Sequence, residues 1–161
     1  MDDRAVVALQ IGREPRAFRR VVARCPFGQP AVTEQEPFDS SGDPFPTTYY
    51  LTCRHLVAAV SRLEAAGGVE RWSRASRDDP RLAASREHAD AEQRRVRREL
   101  AAGRDHPSLD LGIGGAGRHG SLKCLHAHVA FALVHPEYEL GRQILAEIPG
   151  PWPSGCCTPL A

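Results

Sequence analysis

The sequence predicts an α+β fold in which a small N-terminal antiparallel sheet packs against three to five helices. Two observations support this prediction: strand-like segments are confined to the first third of the chain, and helical patterns prevail after it. With 161 residues, 42% of them hydrophobic, the chain is long enough to form one domain with its own core. We therefore expect a single α+β domain over residues 1–150, followed by a flexible tail rich in Pro, Gly and Cys over residues 151–161.

The N-terminal part of the chain contains one predicted helix and three predicted strands. Residues 3–12 have an amphipathic pattern that ends at a glycine, which is typical of a short helix. Residues 17–25 and 31–37 predict the two strands of a hairpin, because a Cys-Pro-Phe-Gly turn joins them. The β-branched and aromatic run at residues 47–52 predicts the third strand.

Helices are predicted for most of the remaining chain. Residues 56–67 carry apolar side chains at helical spacing up to a Gly-Gly pair, which is a helix-ending signal. Residues 80–102 alternate acidic and basic side chains and predict a long, solvated helix. Residues 121–135 are almost continuously apolar, which predicts a central buried helix, and residues 138–148 predict a last short helix.

Composition and charge argue against several classes of function. A net charge of +1 argues against nucleic acid as a partner and gives no general attraction to a membrane surface. No segment reaches the roughly 18 apolar residues that a membrane span requires, and the acidic N-terminus does not resemble a signal peptide. Five cysteines, an odd number without an export signal, are typical of a reducing compartment. We therefore expect a cytoplasmic protein with no membrane partner.

The strongest chemical signal is the segment Cys124-Leu-His126-Ala-His128. On a helix, Cys124 and His128 would share a face, whereas on a strand all three side chains would project to one side. Thiolate sulfur and imidazole nitrogen are ligands that zinc and iron–sulfur centres prefer. The predicted metal site combines this segment with a cysteine of the hairpin turn and one at a strand-to-helix junction: Cys25, Cys53, Cys124 and His128. Cys25, Cys124 and His128 are its core ligands, and His126 is the alternative to Cys53 as the fourth.

The cysteine spacing also permits a simpler interpretation. It matches no standard zinc-finger pattern, and the chain contains no Cys-x-x-Cys pair. The cysteines could therefore be small buried hydrophobic residues, and the histidines ordinary hydrogen-bonded core residues. Cys156 and Cys157, in the predicted tail, would supply a further ligand only if the tail folded back.

A glycine-rich segment at residues 112–120 precedes the predicted buried helix. Backbone N–H groups of such a segment can bind phosphate or carboxylate, here through Gly114, Gly115 and Arg118. The segment matches neither a P-loop nor a dinucleotide-binding fingerprint, and a flexible loop is the alternative. Lys123, the one lysine among 21 basic residues, follows the segment and would neutralise an anionic substrate.

The same segments resemble a known family. The stretches IGREPRAFRRVVARCPFGQPAV, DPFPTTYYLTC, GIGG and KCLHAH resemble the bacterial family catalogued as domain of unknown function 501, over residues 10–148. The chain departs from the family pattern at Ala17, where that pattern has glycine. The resemblance implies a shared site but no named reaction. The positions that it implicates are Cys25, Lys123, Cys124, His126 and His128.

Three classes of function are compatible with these patterns. The first is a protein with a zinc or iron–sulfur site. If one coordination position stays open, this protein would be a metal-dependent hydrolase with Lys123 and His126 as catalytic residues and a small anionic substrate. The second is a metal-free phosphate- or nucleotide-binding protein, or an enzyme, that uses the glycine-rich segment. The third is a protein-interaction module that docks through the charged helix at residues 80–102.

Overall fold

The computed structural model describes residues 1–117 and 120–156. One helix and three strands come first: α1 (Asp3–Ile11), β1 (Phe18–Arg24), β2 (Pro30–Gln35) and β3 (Tyr49–Leu51). Five further helices follow them: α2 (Arg54–Ala65), α3 (Gly68–Asp78), α4 (Pro80–Ala101), α5 (Leu125–Val134) and α6 (Glu139–Ala146). The predicted α+β class is confirmed, and the described residues contain one helix more than the expected range.

The three strands form one antiparallel sheet in the order β1-β2-β3. The hairpin turn closes through Gly28, whose N–H donates to the carbonyl of Cys25 at 2.9 Å. All six residues of β2 are buried. Because alternate residues of a strand point to opposite faces, both faces of the sheet are covered at β2, where α1 and α5 both make contact. The sheet is therefore part of the core.

Helix α5 is the central buried helix that the sequence predicts, but it is shorter. It begins at Leu125, because Lys123 has a left-handed backbone with φ of +68° and Cys124 is extended. Leu125, Val129 and Ala130 are fully buried in a core that also includes residues of the sheet, α2, α4 and α6. The late start has a consequence for the site, since Cys124 precedes the helix and does not share its face with His128.

Helix α3 is absent from the sequence prediction, which assigns the pair Gly67-Gly68 only to the end of α2, whereas Gly68 is the first residue of α3. Gly67 has φ of +84°, a conformation that glycine adopts without strain, and it turns the chain directly into α3. Helix α4 then begins at Pro80, and the Asp79 carboxylate accepts a hydrogen bond from the N–H of Arg81. The predicted long charged helix is thus confirmed.

Helices α5 and α6 cross at close range. A Cβ atom added at Gly141 would lie 2.6 Å from Cδ1 of Tyr138 and 2.7 Å from the carbonyl oxygen of His128. Glycine is therefore required at this crossing, and it brings Tyr138 against His128. Among the described residues, no helix combines the length and the apolar character that crossing a bilayer demands.

Candidate metal centre

Within residues 1–117 and 120–156, one group of side chains has the composition and spacing of a metal centre: Glu64, Cys124 and His126. One ligand atom from each residue lies within 4.8 Å of the other two. Nδ1 of His126 is 3.1 Å from Oε1 of Glu64 and 3.7 Å from Sγ of Cys124. Ligands of a tetrahedral zinc ion, at about 2.0–2.3 Å from the metal, lie about 3.3–3.8 Å from one another. The observed spacing is close to that of a zinc site.

Two helices bring the three side chains together. Glu64 lies near the C-terminal end of α2, Cys124 lies directly before α5, and His126 lies in the first turn of α5. The N–H of Leu125 donates to Oε1 of Glu64 at 2.7 Å, so the carboxylate also satisfies an unpaired backbone N–H at the start of α5. This hydrogen bond fixes Glu64 beside the other two residues.

The hydrogen-bond partners of the His126 ring define its proton positions. Nε2 lies 3.2 Å from the carbonyl oxygen of Val57 and 3.2 Å from Oγ of Ser61. Since a carbonyl oxygen can only accept, Nε2 carries the hydrogen. Nδ1 then faces two acceptors, the Glu64 carboxylate and the Cys124 sulfur. Because a bare ring nitrogen would repel these acceptors, the geometry is favourable when Nδ1 carries a proton or binds a metal cation. A metal-binding histidine typically donates its other N–H to a carbonyl or carboxylate in this way.

The electrostatic surroundings of His126 favour a positive charge. Burial lowers the pKa of His126, but the hydrogen bond and charge of Cys124 and the charge of Glu64 outweigh it and raise this pKa to about 9. In the metal-free protein at neutral pH, Nδ1 therefore carries a proton. A metal ion would have to displace that proton.

The group borders a cavity. A space of about 300 Å³ is lined by Cys124 and His126 together with Gly114, Tyr50 and Val57. The side chains of His126 and Glu64 retain 23% and 27% of their exposure, so the group is accessible from outside. A metal bound here would have at least one side open to a small molecule.

The glycine-rich segment contributes a wall of this cavity. Ile113, Gly114 and Gly115 form a tight turn in which Gly114 and Gly115 have left-handed φ values of +70° and +75°. Lys123 is exposed, and its Nζ donates to the carbonyl of Gly115 at 3.3 Å. Four N–H groups of the segment already donate hydrogen bonds. Those of Gly112, Gly115 and Ala116 donate to carbonyls within the segment, and that of Ile113 donates to α4.

These bonds reduce what the segment offers to an anion. The N–H of Ile113 donates to the Asp90 carboxylate of α4 at 2.8 Å, and Gln93 of α4 holds the Gly112 carbonyl at 2.5 Å. The segment is thus anchored to α4 rather than folded around a ligand position. Arg118, the third predicted anion-binding residue, lies outside the described residues, as does Cys157.

Three of the four predicted metal ligands do not join Cys124 in a ligand group within the described residues. Cys25 and Cys53 are buried in the hydrophobic core, 9% and 2% exposed. His128 is 1% exposed, and both of its ring nitrogens have partners: Nδ1 accepts from the Tyr138 hydroxyl at 2.7 Å, and Nε2 lies 3.3 Å from the Leu122 carbonyl. Burial, with the charge of Arg86, lowers the pKa of His128 to about 3.

Glu64 is the residue that sequence reasoning missed. It shares one face of α2 with Val57 and Ser61, at spacings of four and three residues, and that face contacts His126. The polar pair Ser61 and Glu64 was visible in the sequence, whereas Val57 contributes a backbone carbonyl, which residue type does not indicate. The pairing of this face with α5, about sixty residues away along the chain, depends on the tertiary fold.

These features place the chain in a class of α+β proteins that have a Cys/His/Glu group at the edge of a cavity. The model of the family described as "Protein of unknown function (DUF501)" matches residues 21–146, so the chain belongs to that family and the resemblance is confirmed. The matched range includes Glu64, Cys124 and His126. No curated protein and no solved structure gives a significant match to the chain.

Proposed function

We propose that this protein binds a zinc ion through Glu64, Cys124 and His126. The observation that supports the proposal best is the orientation of His126, whose Nε2 faces a carbonyl while Nδ1 faces a carboxylate and a thiol. The donor set of one sulfur, one nitrogen and one oxygen suits zinc. Iron–sulfur clusters are held mainly by several cysteines, and this group contains one.

The geometry favours a catalytic type of site over a purely structural one. Structural zinc sites have four protein ligands, whereas catalytic sites have three and keep one position open. An open position gives zinc the ability to polarise a carbonyl or phosphoryl oxygen and to activate water. The adjacent cavity of about 300 Å³ would hold the substrate. Lys123 does not line this cavity, but its charge, next to Cys124 in the chain, would favour an anionic substrate. Hydrolysis is the reaction class that we propose.

Zinc titration of chelator-stripped, tag-free protein tests the metal site. We expect one zinc per chain by elemental analysis, and a loss of affinity of at least about 100-fold in Cys124→Ala and Glu64→Gln, measured by competition with a chromophoric chelator. Cys25→Ala is the matched control, because it removes a cysteine that was predicted as a ligand but lies outside the group. The proposal is wrong if the wild-type protein binds no zinc, or if Cys25→Ala loses zinc as Cys124→Ala does.

A substrate screen tests the hydrolase part separately. Zinc-loaded protein would be assayed with simple carboxylic and phosphoric esters, with Cys124→Ala as the inactive reference. We expect turnover that depends on zinc and disappears in the variant. If one zinc binds with the predicted ligands and no ester is cleaved, the zinc site stands and the hydrolase assignment does not.

A further inference from the structure

A second cavity lies between the end of α1 and the sheet. It has a volume of about 180 Å³, and its lining includes Arg13, Arg16, Thr33, Gln35 and Tyr50. The arginines belong to the IGREPR stretch and the tyrosine to the DPFPTTYY stretch, two segments that the metal centre leaves largely unexplained. We propose that this cavity binds a small oxyanion, the carboxylate or phosphate group of a small molecule, with Arg13 as the main ligand.

Arg13 is the uncompensated charge of the cavity. Its Nη2 donates to the Tyr50 hydroxyl at 3.4 Å, and among the described residues no carboxylate lies within ion-pair distance of it. The acidic residues of the same cavity already have partners: Glu14 lies 2.5 Å from Arg4, and Asp39 lies 3.7 Å from Arg16. The guanidinium of Arg13 is therefore free to form the paired hydrogen bonds that carboxylates and phosphates accept.

The wall opposite the solvent offers further polar groups. Thr33 and Gln35 are 0% and 5% exposed, and Nε2 of Gln35 donates to Oγ1 of Thr33 at 2.5 Å. The threonine oxygen accepts this bond, and the amide of Gln35 has a second hydrogen that can donate to an anion. Buried polar side chains that line a cavity typically orient a ligand, and this donor lines the same cavity as Arg13.

The size of the cavity limits its ligand. Drug-sized molecules occupy cavities of roughly 300–1,000 Å³, so a space of about 180 Å³ suits a group of a few atoms and not a whole nucleotide. Tyr50 also lines the larger cavity beside Cys124, so the two cavities share one wall. The oxyanion site does not rest on the zinc proposal, since none of Glu64, Cys124 and His126 lines it.

Thermal unfolding of chelator-stripped protein, with inorganic phosphate and with acetate at constant ionic strength, tests the proposal. Sodium chloride is the reference salt, and the Cys124→Ala variant is titrated in parallel so that phosphate bound to residual zinc is not counted. We expect a saturable rise in Tm above that with chloride for at least one anion, in both proteins. A response to phosphate alone would identify a phosphate group as the ligand, and a response to acetate alone would identify a carboxylate.

Arg13→Gln is the decisive variant, and Arg77→Gln, which changes an exposed arginine of α3, is its matched control. Arg13 is exposed, so its substitution leaves the core intact, which circular dichroism verifies. We expect Arg13→Gln to abolish the anion-specific shift and to leave zinc binding unchanged, and Arg77→Gln to retain both. Tyr50→Phe should reduce the shift. The proposal is overturned if neither anion raises Tm above chloride, or if Arg13→Gln responds as the wild-type protein does.

Discussion

Two histidines, two positions apart on α5, have opposite surroundings. His126 faces α2, is partly exposed, and directs Nδ1 at a carboxylate and a thiol, which together raise its pKa to about 9 against the effect of burial. His128 faces α6, is 1% exposed, and accepts a hydrogen bond from Tyr138, and burial lowers its pKa to about 3. Since residues two apart on a helix point to nearly opposite sides, one short motif supplies a histidine of the proposed metal group and a histidine buried in the core.

The largest expected difference between the two histidines is in zinc binding. His126→Ala should lower zinc affinity by at least about 100-fold, because it removes a ligand, and partners that merely orient a ligand are already worth 10–100-fold. Substitution of Tyr138 by Phe disturbs His128 without touching the metal group, and should leave zinc affinity within about threefold of wild type. Competition with a chromophoric chelator measures both. Equal losses in the two variants would mean that the two histidines do not have separate roles.

The next largest effect is on the free energy of unfolding, and it concerns His128. His128→Ala should lower the free energy of unfolding by about 2–4 kcal/mol, since it opens a cavity and leaves the buried Tyr138 hydroxyl unpaired. Above about pH 9, where the charge-dependent contribution of His126 is lost, His126→Ala in the metal-free protein should cost less than about 1 kcal/mol, because that side chain is partly exposed. Urea unfolding followed by circular dichroism measures both values. The assignment fails if His126→Ala is the more destabilising of the two.

The two histidines should change the stability of the protein in opposite directions as the pH changes. Below pH 6.5 the unfolded chain protonates His128 while the folded protein does not, so acidification from pH 6.5 towards 3 destabilises the metal-free protein by about 1 kcal/mol per pH unit. His126 acts in the opposite direction, because its contribution is complete below pH 6.5 and is lost as the pH rises to about 9. Urea unfolding of the wild-type protein, His126→Ala and His128→Ala across this range measures how the free energy of unfolding changes with pH. The account is contradicted if His126→Ala loses the change below pH 6.5 and His128→Ala loses the change between pH 6.5 and 9.

The smallest effect concerns the partner of His128. Tyr138→Phe removes one hydroxyl and leaves Nδ1 of His128 as a buried acceptor, which should cost about 1–2 kcal/mol. Tyr50→Phe is the control, since its hydroxyl makes one long hydrogen bond of 3.4 Å to an exposed arginine. It should change the stability by less than about 0.5 kcal/mol. Equal losses would show that the Tyr138–His128 hydrogen bond does not contribute to the fold.

The sequence predicted the fold class and most elements, because their signals are local. Amphipathic spacing ended by glycine marked α1, a Cys-Pro-Phe-Gly turn marked the hairpin, and a charged stretch starting at Pro80 marked α4. Helix α3 could not be predicted in the same way, since Gly67 both ends α2 and starts the turn into α3. Whether a glycine ends a helical segment or only bends the chain depends on what packs beyond it.

The residue types of the candidate metal site were predictable from the sequence, but the set of residues that forms the site was not. Cys124 and His126 were recognised because thiols and imidazoles close in sequence are rare and chemically suited to metal. Glu64 was missed because a solvated glutamate at the end of α2 carries no signal until α5 packs beside it. The expected partnership of Cys124 with His128 assumed a helix from residue 121, whereas the left-handed conformation of Lys123 delays it to Leu125.

X-ray absorption spectroscopy of the zinc-loaded protein tests the central claim most directly, because it counts the atoms bound to the metal. Glu64, Cys124 and His126 predict one sulfur at about 2.3 Å and two or three nitrogen or oxygen neighbours at about 2.0–2.1 Å. Two or three sulfur neighbours would contradict the account, since they would require Cys25 or Cys53 to leave the core and join Cys124.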